Sequence, residues 1–487
     1  MNFDFSLIRK LSGVICLVIG AAMAPCVFIA LGYREYAEVK IFAFLLLVLG
    51  ISGLALFLPA RMSTHQIKMR EGFFIVALCW ILMSALASLP YLIGGHLPNF
   101  IDAFFEAVSN ITTTGANVIP DLAALPASML FWRALLNWIG GLGILLFAIS
   151  VLPALGIGTA NLANAETAGS NIEKYRLRIS ENAKIVYLIY VGLSSIEFIL
   201  LLVSGLSAFD AVVNTFSSIS NCGISNYPDG IGHFRNISVE VIIAVFCIIG
   251  AMNFSTLQLL PRRRIREFFR DPEIRIYLGM IGGVFAIVTI ALWVSGLYGG
   301  FADTVHRSFL QVFSFASTAG YSVTDYNGWP SFCKVLLFFV AFVGGCSAST
   351  SGGIKISRLA VVAKLIRRNI YKRLHPNAVV AVKVGGNTIP EEKVANISIF
   401  VIVYLMIFIA GTILLSIEGQ DFETTAGSVI AALSNTGLGF GGTGFGHDFD
   451  VFSHAGRFLL TMLMLIGRLE IFAIVMLFTP TFWKGDR

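Results

Sequence analysis

The sequence contains few charged residues for its length: Asp, Glu, Lys and Arg together make up 13% of 487 residues. Apolar residues make up 56%, and the mean hydropathy is +0.82. One folded core cannot bury so much apolar side chain, so this composition excludes a soluble globular protein. The seven cysteines include no C-x-x-C pair, and the seven histidines include no H-x-x-x-H pair. Neither a disulfide framework nor a zinc site is therefore indicated.

One glycine pattern typical of nucleotide-binding enzymes is present, but its context is missing. Residues 437 to 442 read GLGFGG and match G-x-G-x-x-G. This motif binds a dinucleotide where it follows a β-strand and opens a helix, whereas here it follows an amphipathic helical stretch. We therefore predict that the protein is not an enzyme. We expect no covalently bound cofactor and no nucleic-acid partner.

Long apolar runs are what the sequence does contain. Each is long enough to cross roughly 30 Å of hydrocarbon as a helix of about 20 residues. The first run is followed at once by a second, so we interpret it as a membrane helix and not as a cleaved signal peptide. The ten predicted spans are 11 to 31, 40 to 60, 72 to 94, 127 to 151, 183 to 205, 237 to 260, 275 to 299, 331 to 353, 395 to 417 and 456 to 479.

Lysine and arginine predict the orientation of these spans. If the N-terminus lies inside, the cytoplasmic segments carry 26 of the 34 basic residues. Positively charged segments resist translocation across the membrane. The sequence therefore predicts a multi-pass protein with both termini in the cytoplasm.

A short polar stretch that contains glycine occurs four times between spans. The 13 residues before each glycine align without gaps, with Thr or Ser three positions before the glycine and Thr or Asn two positions before it. The copies read SNITTTGAN at 109 to 117, SSISNCGISN at 217 to 226, SFASTAGYS at 314 to 322 and AALSNTGLG at 431 to 439. Such a recurrence indicates an internal repeat.

Each glycine stretch follows an amphipathic segment that is too short to cross the membrane. About 12 helical residues rise only about 18 Å, and backbone that stops inside a bilayer must be buried in protein or reached by water. We therefore predict an all-α membrane protein with four span, pore-helix, span repeats in a pseudo-fourfold arrangement around a central pore, preceded by two transmembrane helices. The predicted domains are 1 to 62 for the two helices and 63 to 165, 166 to 266, 267 to 380 and 381 to 487 for the repeats.

The four glycine stretches are predicted to form a selectivity filter. Glycine reaches positive φ without a Cβ clash, so successive main-chain carbonyls can face a cation and replace its hydration shell. The C-terminal ends of the half-helices, about −0.5 charge each, favour a cation at the same place. For any single copy, an ordinary turn is the alternative. The predicted potassium-binding residues are Thr113, Thr114, Gly115, Asn221, Cys222, Gly223, Thr318, Ala319, Gly320, Asn435, Thr436 and Gly437.

The eighth predicted span is interrupted by a run of small and polar residues. Residues 344 to 353 read GGCSASTSGG, which cannot pack against lipid as a regular helix. This composition predicts a break in the helix and a flexible loop in the conduction path beneath the filter. The predicted gating glycines are Gly344, Gly345, Gly352 and Gly353.

These stretches, together with GGCSASTSGGIK at 344 to 355 and GRLEIF at 467 to 472, closely resemble the bacterial Trk/Ktr/HKT potassium transporters, in particular the TrkH/TrkG type. The resemblance covers the whole chain. It implies a subunit of the bacterial inner membrane that takes up potassium, driven by the membrane potential. It also implies a homodimer, an intramembrane loop that obstructs the pore, and control by a cytoplasmic nucleotide-binding ring of the TrkA type.

The resemblance also bears on selectivity. Plant relatives that prefer sodium replace the first filter glycine with serine, whereas glycine stands at all four positions here, which favours potassium. Sodium-selective or poorly selective conduction is an open alternative. An ion-coupled symporter is another, although it would need a titratable group or discontinuous helices at the membrane midplane. The basic segments 262 to 275 and 355 to 393 are predicted either to dock the regulatory ring or to attract anionic lipid.

Arg133, Glu197 and Arg468 are charged residues within predicted spans, where a charge facing lipid is expensive. Arg468 matches the family's motif, which implies that it points into the pore and holds the 344 to 353 loop; a buried ion pair is the alternative. Glu470 lies only two positions away, on a different helical face, so a pair between the two is not expected. Arg133 lies near the outer end of its span and is expected to snorkel, and Glu197 is expected to be paired.

Overall fold

The computed structural model describes residues 5–58, 69–150 and 172–480, and these residues are helical apart from loops and one two-residue hairpin. The predicted domain boundaries at 62 and 165, and the C-terminal tail from 481, lie outside the described residues. Two antiparallel helices come first, α1 (Phe5–Gly32) and α2 (Tyr36–Phe57). They pack closely at Gly13, where a Cβ would lie 2.9 Å from the carbonyl oxygen of Gly53.

The rest of the described chain repeats one arrangement four times: a long helix, a shorter helix that ends at a glycine loop, and a third helix after that loop, called the inner helix. Some sets contain one or two additional short helical turns. The first set is α3 (Met69–Ala87), α4 (Leu89–Ile93), α5 (Phe100–Ile111) and α6 (Ala127–Ser150). The second is α7 (Ile172–Val203), α8 (Ala208–Ile219), α9 (Ile237–Gly250), α10 (Phe254–Leu257) and α11 (Ile265–Phe268). The third is α12 (Pro272–Ser295), α13 (Phe301–Ser317), α14 (Ser331–Val343) and α15 (Ile356–Leu374), followed by the hairpin β1 (Lys383–Val384) and β2 (Asn387–Thr388). The fourth is α16 (Glu391–Leu415), α17 (Phe422–Leu433), α18 (His454–Arg468) and α19 (Phe472–Val475).

The short helices α5, α8 and α17 have 12 residues each, as predicted for the half-helices, whereas α13 begins earlier than predicted, at Phe301, and has 17 residues. Three of them begin at a side-chain cap: Asn99, Ser207 and Asp421 each accept a hydrogen bond from a main-chain N–H of the first turn. Such caps satisfy donors that a helix leaves free at its N-terminus. Three of the four helices therefore start at capped positions, and the last residues of all four, Ile111, Ile219, Ser317 and Leu433, are fully buried.

Several inner helices are shorter than the spans predicted for them. Seven helices of the described chain are long and apolar enough to cross a membrane, whereas α9 and α14 are shorter apolar helices. The prediction of continuous spans at 237 to 260 and 456 to 479 was wrong in this respect, since α9 ends at Gly250 and α18 ends at Arg468. After α18 the backbone turns through two residues with positive φ, Glu470 and Ile471. Apolar composition alone does not reveal such breaks, because the residues that follow them are apolar as well.

Polar and apolar side chains are distributed in the way that a bilayer requires. The filter residues Thr113 and Asn435 are 0% and 1% exposed, and most of their polar neighbours are buried as well. Large apolar side chains cover the outside; Val203 and Val294, for example, are 81% and 79% exposed. A soluble protein has the opposite arrangement, so the apolar outer surface indicates contact with lipid.

Candidate ion-conduction site

Each short helix ends in the same hydrogen-bonded cap. The residue two positions before the glycine has positive φ. The N–H of the next residue, which directly precedes the glycine, donates to the carbonyl of the residue five positions before it, at 2.8 to 2.9 Å. This is the Schellman geometry, which normally places glycine at the positive-φ position. The residues with positive φ are Thr113 (51°), Asn221 (55°), Thr318 (56°) and Asn435 (52°). A side chain in this conformation costs roughly 1–2 kcal/mol, so the surrounding structure must hold the backbone there.

The four glycine loops meet in a closed ring. Each glycine has positive φ, between 72° and 83°, and each is pressed against the next loop. A Cβ on any of these glycines would lie less than 3.0 Å from the main-chain carbonyl oxygen that precedes the glycine of the neighbouring loop. The pairs are Gly115 with Cys222, Gly223 with Ala319, Gly320 with Thr436, and Gly437 with Thr114. The fourth loop therefore contacts the first, and the structure brings all twelve predicted filter residues to one place.

The carbonyl oxygens of this ring have no protein donor among the residues that the structure describes. Within the described residues, the carbonyls of Thr114, Cys222, Ala319 and Thr436 accept no hydrogen bond. Buried carbonyls that lack a donor favour a cation as their partner. The C-terminal ends of the four short helices lie behind them and add negative potential. The arrangement can therefore hold a desolvated cation and disfavours an anion.

The segment between α14 and α15, residues 344–355, lies directly beneath the ring and is called the intramembrane loop below. The hydroxyl of Thr350 donates to the carbonyl of Gly250 at 2.9 Å, and it is hydrogen-bonded to the amide of Asn221 at 3.0 Å. The N–H of Gly352 donates to the hydroxyl of Thr318 at 2.8 Å. The loop thus contacts the second and third filter loops from below.

The predicted gating glycines have different surroundings within this loop. A Cβ on Gly352 would lie less than 3.0 Å from the carbonyl oxygen of Ser434, so glycine is needed for the intramembrane loop to reach the fourth filter loop. Gly344 and Gly353 have positive φ and lie against each other at the base of the loop. Gly345 packs against the carbonyl of Ala251.

Arg468 lies at the end of α18 and reaches the intramembrane loop. Its Nη1 donates to the carbonyl oxygen of Thr350 at 2.8 Å, and the residue is 3% exposed. Among the described residues it forms no ion pair, and its Nε and Nη2 are buried without a partner. Glu470 pairs instead with Arg358 on α15, which confirms that Arg468 and Glu470 do not pair.

Lys355 makes a contact that its place in the sequence does not predict. It was assigned to the cytoplasmic side, but it is 8% exposed and its Nζ donates to the carbonyl of Ser351 in the intramembrane loop. A lysine just after a glycine pair gives no sequence signal of this contact, because its partner is main chain.

Arg133 does not snorkel towards the outside, contrary to the expectation from its position. It is 1% exposed, and its Nε donates to Glu106 on α5 at 2.8 Å. Its Nη2 donates to the side chain of Asn117, two residues beyond Gly115, at 3.0 Å. This buried ion pair lies behind the first filter loop and supports its outer end. The two charges are 27 residues apart in the chain, so no local sequence pattern indicates the pair.

Glu197 is buried on α7, and the hydroxyl of Ser218 on α8 donates to its Oε1. Its Oε2 has no hydrogen-bond partner among the residues that the structure describes. The expected pairing is therefore a hydrogen bond and not an ion pair.

Asp448 lies outside the membrane-spanning helices, in the loop that covers the outer end of the first filter loop. It accepts a hydrogen bond from the amide of Asn117 at 2.6 Å. Burial raises the pKa of the Asp448 carboxyl to about 6; the Asn117 hydrogen bond and Arg133 oppose this rise, whereas Asp450 and Glu106 add to it. The carboxylate is therefore charged at pH 7.5 and mostly neutral at pH 5.

We expect external acidification to reduce cation uptake through this group. Loss of one negative charge at the mouth lowers the local cation concentration, so uptake should fall about twofold between pH 7.5 and pH 5. Asp448→Asn should be slow at both values and lack this component. Asp450→Asn, in the same loop but exposed, is the control and should keep the pH-dependent fall, shifted to slightly lower pH because Asp450 contributes to the raised pKa of Asp448. An unchanged pH profile in Asp448→Asn would contradict the assignment.

A ring of free carbonyls at the ends of four half-helices, inside a bundle with a lipid-facing surface, defines a channel-like cation transport protein. Comparison with known proteins agrees: the family model described as "TrkH: Cation transport protein" matches residues 37–484. The chain belongs to this family, and it is a multi-pass membrane protein.

Relatives match over nearly the whole chain. The Trk system potassium uptake protein TrkH of Escherichia coli is 36% identical over 484 residues, which cover 99% of each chain. The Trk system potassium uptake protein TrkG of the same species is 33% identical and covers 98% of each chain. The crystal structure of the potassium transporter TrkH from Vibrio parahaemolyticus superimposes with a TM-score of 0.91 at 33% identity, covering 99% of this chain and 100% of that one.

Proposed function

We propose that this protein takes up potassium ions across the bacterial inner membrane. The observation that carries the proposal is the closed ring of four glycine loops with free carbonyl oxygens. The names of the relatives, potassium uptake proteins, support potassium as the transported ion. The membrane potential supplies about 2.3 kcal/mol per 100 mV for each inward-moving cation. The path needs no chemical step, so the protein acts as a transporter and not as an enzyme.

Potassium is favoured over sodium because glycine stands at the filter position of all four loops, whereas plant members of the family that this chain resembles carry serine at the first position and prefer sodium. The twelve filter residues, three from each glycine loop, would bind the ion. Sodium-selective or poorly selective conduction, and ion-coupled symport, are the alternatives that the experiment below separates.

The intramembrane loop is proposed to be the gate. Ser349, Thr350 and Ser351 are 3%, 0% and 2% exposed beneath the ring, so the loop must move before an ion can pass. Gly344, Gly345, Gly352 and Gly353 would permit this movement, and Arg468 would oppose it through Thr350. Small two-state elements of this kind can be biased by a partner that binds elsewhere.

The proposed assembly is a homodimer in the inner membrane, with both termini in the cytoplasm and a nucleotide-binding ring of the TrkA type bound below. The helix α15 supports the last point, since it extends the intramembrane loop into a strongly basic surface that includes Lys364, Arg367, Lys372 and Arg373. A ring that moves α15 would pull on the loop through Lys355.

Uptake of rubidium into liposomes that contain the purified protein tests the proposal. We expect uptake driven by an inside-negative potential, competition by potassium, and less than about twofold inhibition by a tenfold excess of sodium. A pH-sensitive dye inside the liposomes should report no proton entry coupled to rubidium. Equal inhibition by sodium would favour the poorly selective alternative, and stoichiometric proton entry would favour a symporter. No rubidium uptake at all would contradict the proposal.

A further inference from the structure

The intramembrane loop has a second partner besides the filter: the unwound end of α9. This helix ends at Gly250, and the main chain of residues 250–254 is open to the loop. The N–H of Cys346 donates to the carbonyl of Ala251 at 2.8 Å, and the N–H of Phe254 donates to the carbonyl of Ala348 at 3.1 Å. The break in the second inner helix is therefore where the loop of the third repeat docks.

One side chain spans this junction. Glu273 lies in the first turn of α12, and its Oε1 accepts a hydrogen bond from the N–H of Ser347 in the loop at 2.6 Å. Its Oε2 accepts one from the amide of Asn253, in the unwound segment, at 3.2 Å. A single carboxylate thus connects the loop to the segment on which it docks.

The start of α12 fixes the position of Glu273. Asp271 caps α12 and accepts hydrogen bonds from the N–H groups of Glu273 and Ile274 at 2.9 and 3.2 Å. Pro272 at the first helical position is preorganised for helix. Among the described residues Glu273 forms no ion pair, so its charge is stabilised by the two hydrogen bonds and their dipoles. A group that is rigidly placed and bonded to a loop main chain limits the movement of that loop.

We infer that Glu273 is a positioning residue of the gate: it holds the intramembrane loop closed from the cytoplasmic side, opposite Arg468. This inference rests on the proposed function, because it assumes that the loop obstructs the pathway. The hydrogen bond to Ser347 must break, or move with α12, when the loop leaves the ring. Weakening it shifts the loop towards the open state and leaves the filter unchanged.

A reciprocal exchange of side chains tests this role. In Glu273→Gln the amide faces the amide of Asn253, so two donors oppose each other. In Asn253→Asp two carboxylates oppose each other, although the aspartate can still cap Ser255 as Asn253 does. The double variant restores a donor opposite an acceptor. Both single variants preserve side-chain size, so a failure to fold is not expected to obscure the result.

Rubidium influx into liposomes containing the full chain, without the regulatory partner, is the first measurement. We expect each single variant to raise the maximal rate about fivefold with an unchanged half-saturating concentration, and the double variant to return within twofold of wild type. A change in the half-saturating concentration would place the effect in the filter and overturn the inference. Wild-type rates in both single variants would overturn it as well.

The native cysteines supply a second measurement that does not depend on transport. Cys346 in the loop is 0% exposed and Cys222 in the filter is 1% exposed. Alkylation by N-ethylmaleimide, followed by mass spectrometry, should proceed about fivefold faster at Cys346 in Glu273→Gln and remain unchanged at Cys222. If the wild-type protein moves no rubidium, the proposed function fails while this measurement still decides the role of Glu273. Unchanged labelling of Cys346 overturns the inference whatever the transport result.

Discussion

Replacing Gly223 by alanine is expected to reduce rubidium uptake about a hundredfold, which corresponds to about 2.7 kcal/mol. Gly223 has a φ of 72°, and a Cβ there would lie less than 3.0 Å from the carbonyl oxygen of Ala319 and from two atoms of the following main chain. Contacts between carbon and a carbonyl oxygen are normally about 3.3 Å or longer. The third filter loop would have to move, and the carbonyl of Ala319 would no longer face the ion as the carbonyls of the other three loops do.

The chain offers a matched control for this substitution. Gly95, in the outer loop after α4, has the same φ of 72°, but a Cβ at this position would meet no atom of the described chain within 4 Å. Gly95→Ala therefore carries the same backbone strain, roughly 1–2 kcal/mol, without the contact. Its uptake should lie within twofold of wild type. Wild-type uptake in Gly223→Ala would contradict the ring, and an equal loss in both variants would attribute the defect to backbone strain.

Arg468→Ala is expected to raise uptake about tenfold in the absence of the regulatory partner. The substitution removes the 2.8 Å hydrogen bond from the guanidinium to the carbonyl of Thr350. Hydrogen bonds from charged donors contribute about 1.5–3 kcal/mol, and a tenfold shift towards the open loop requires about 1.4 kcal/mol. The loop keeps its bonds to Gly250 and Thr318, so it should be loosened and not unfolded. Influx into liposomes, with and without the nucleotide-binding ring, measures the effect.

The control for Arg468 lies on the same helix. Arg457 lies in the first turn of α18, eleven residues before Arg468, and pairs with Asp102 at 2.8 Å. Arg457→Ala removes an arginine from α18 without touching the loop, so basal uptake and control by the ring should stay at wild-type values. A wild-type rate together with unchanged nucleotide control in Arg468→Ala would refute the gating role of Arg468.

The sequence predicted the elements that local pattern encodes. The four short helices match the four amphipathic stretches, and the glycines with positive φ in the filter loops are the four that the alignment selected. The break after Val343 was also predicted, because glycine and hydroxyl residues interrupt an apolar run there. These features depend on residues close together in the chain, so their signals are present in short segments. The domain boundaries and the roles of the filter and gate residues stay predictions.

Contacts between distant segments were not predictable from the sequence. The pair of Glu106 with Arg133, the burial of Lys355 and the bridge from Glu273 to the loop all join residues from separate elements. The break after Gly250 was missed for the same reason, because Cys346 and Thr350 of a distant segment take over main-chain hydrogen bonds at the end of α9. The break after Arg468 is a local turn, in which the N–H of Ile471 donates to the carbonyl of Ile466, and it was missed because the residues that follow are mostly apolar.

The sequence by itself determined that this protein lies in a membrane, that it repeats a half-helix and a glycine loop four times, and that glycine occupies each turn. Composition and short-range pattern suffice for this, because hydropathy and backbone conformation are properties of local segments. Only the tertiary structure decided that the fourth loop closes on the first, and which charges hold the loop beneath them. Ring closure and buried charge pairing depend on how whole helices pack, and no local segment contains that information.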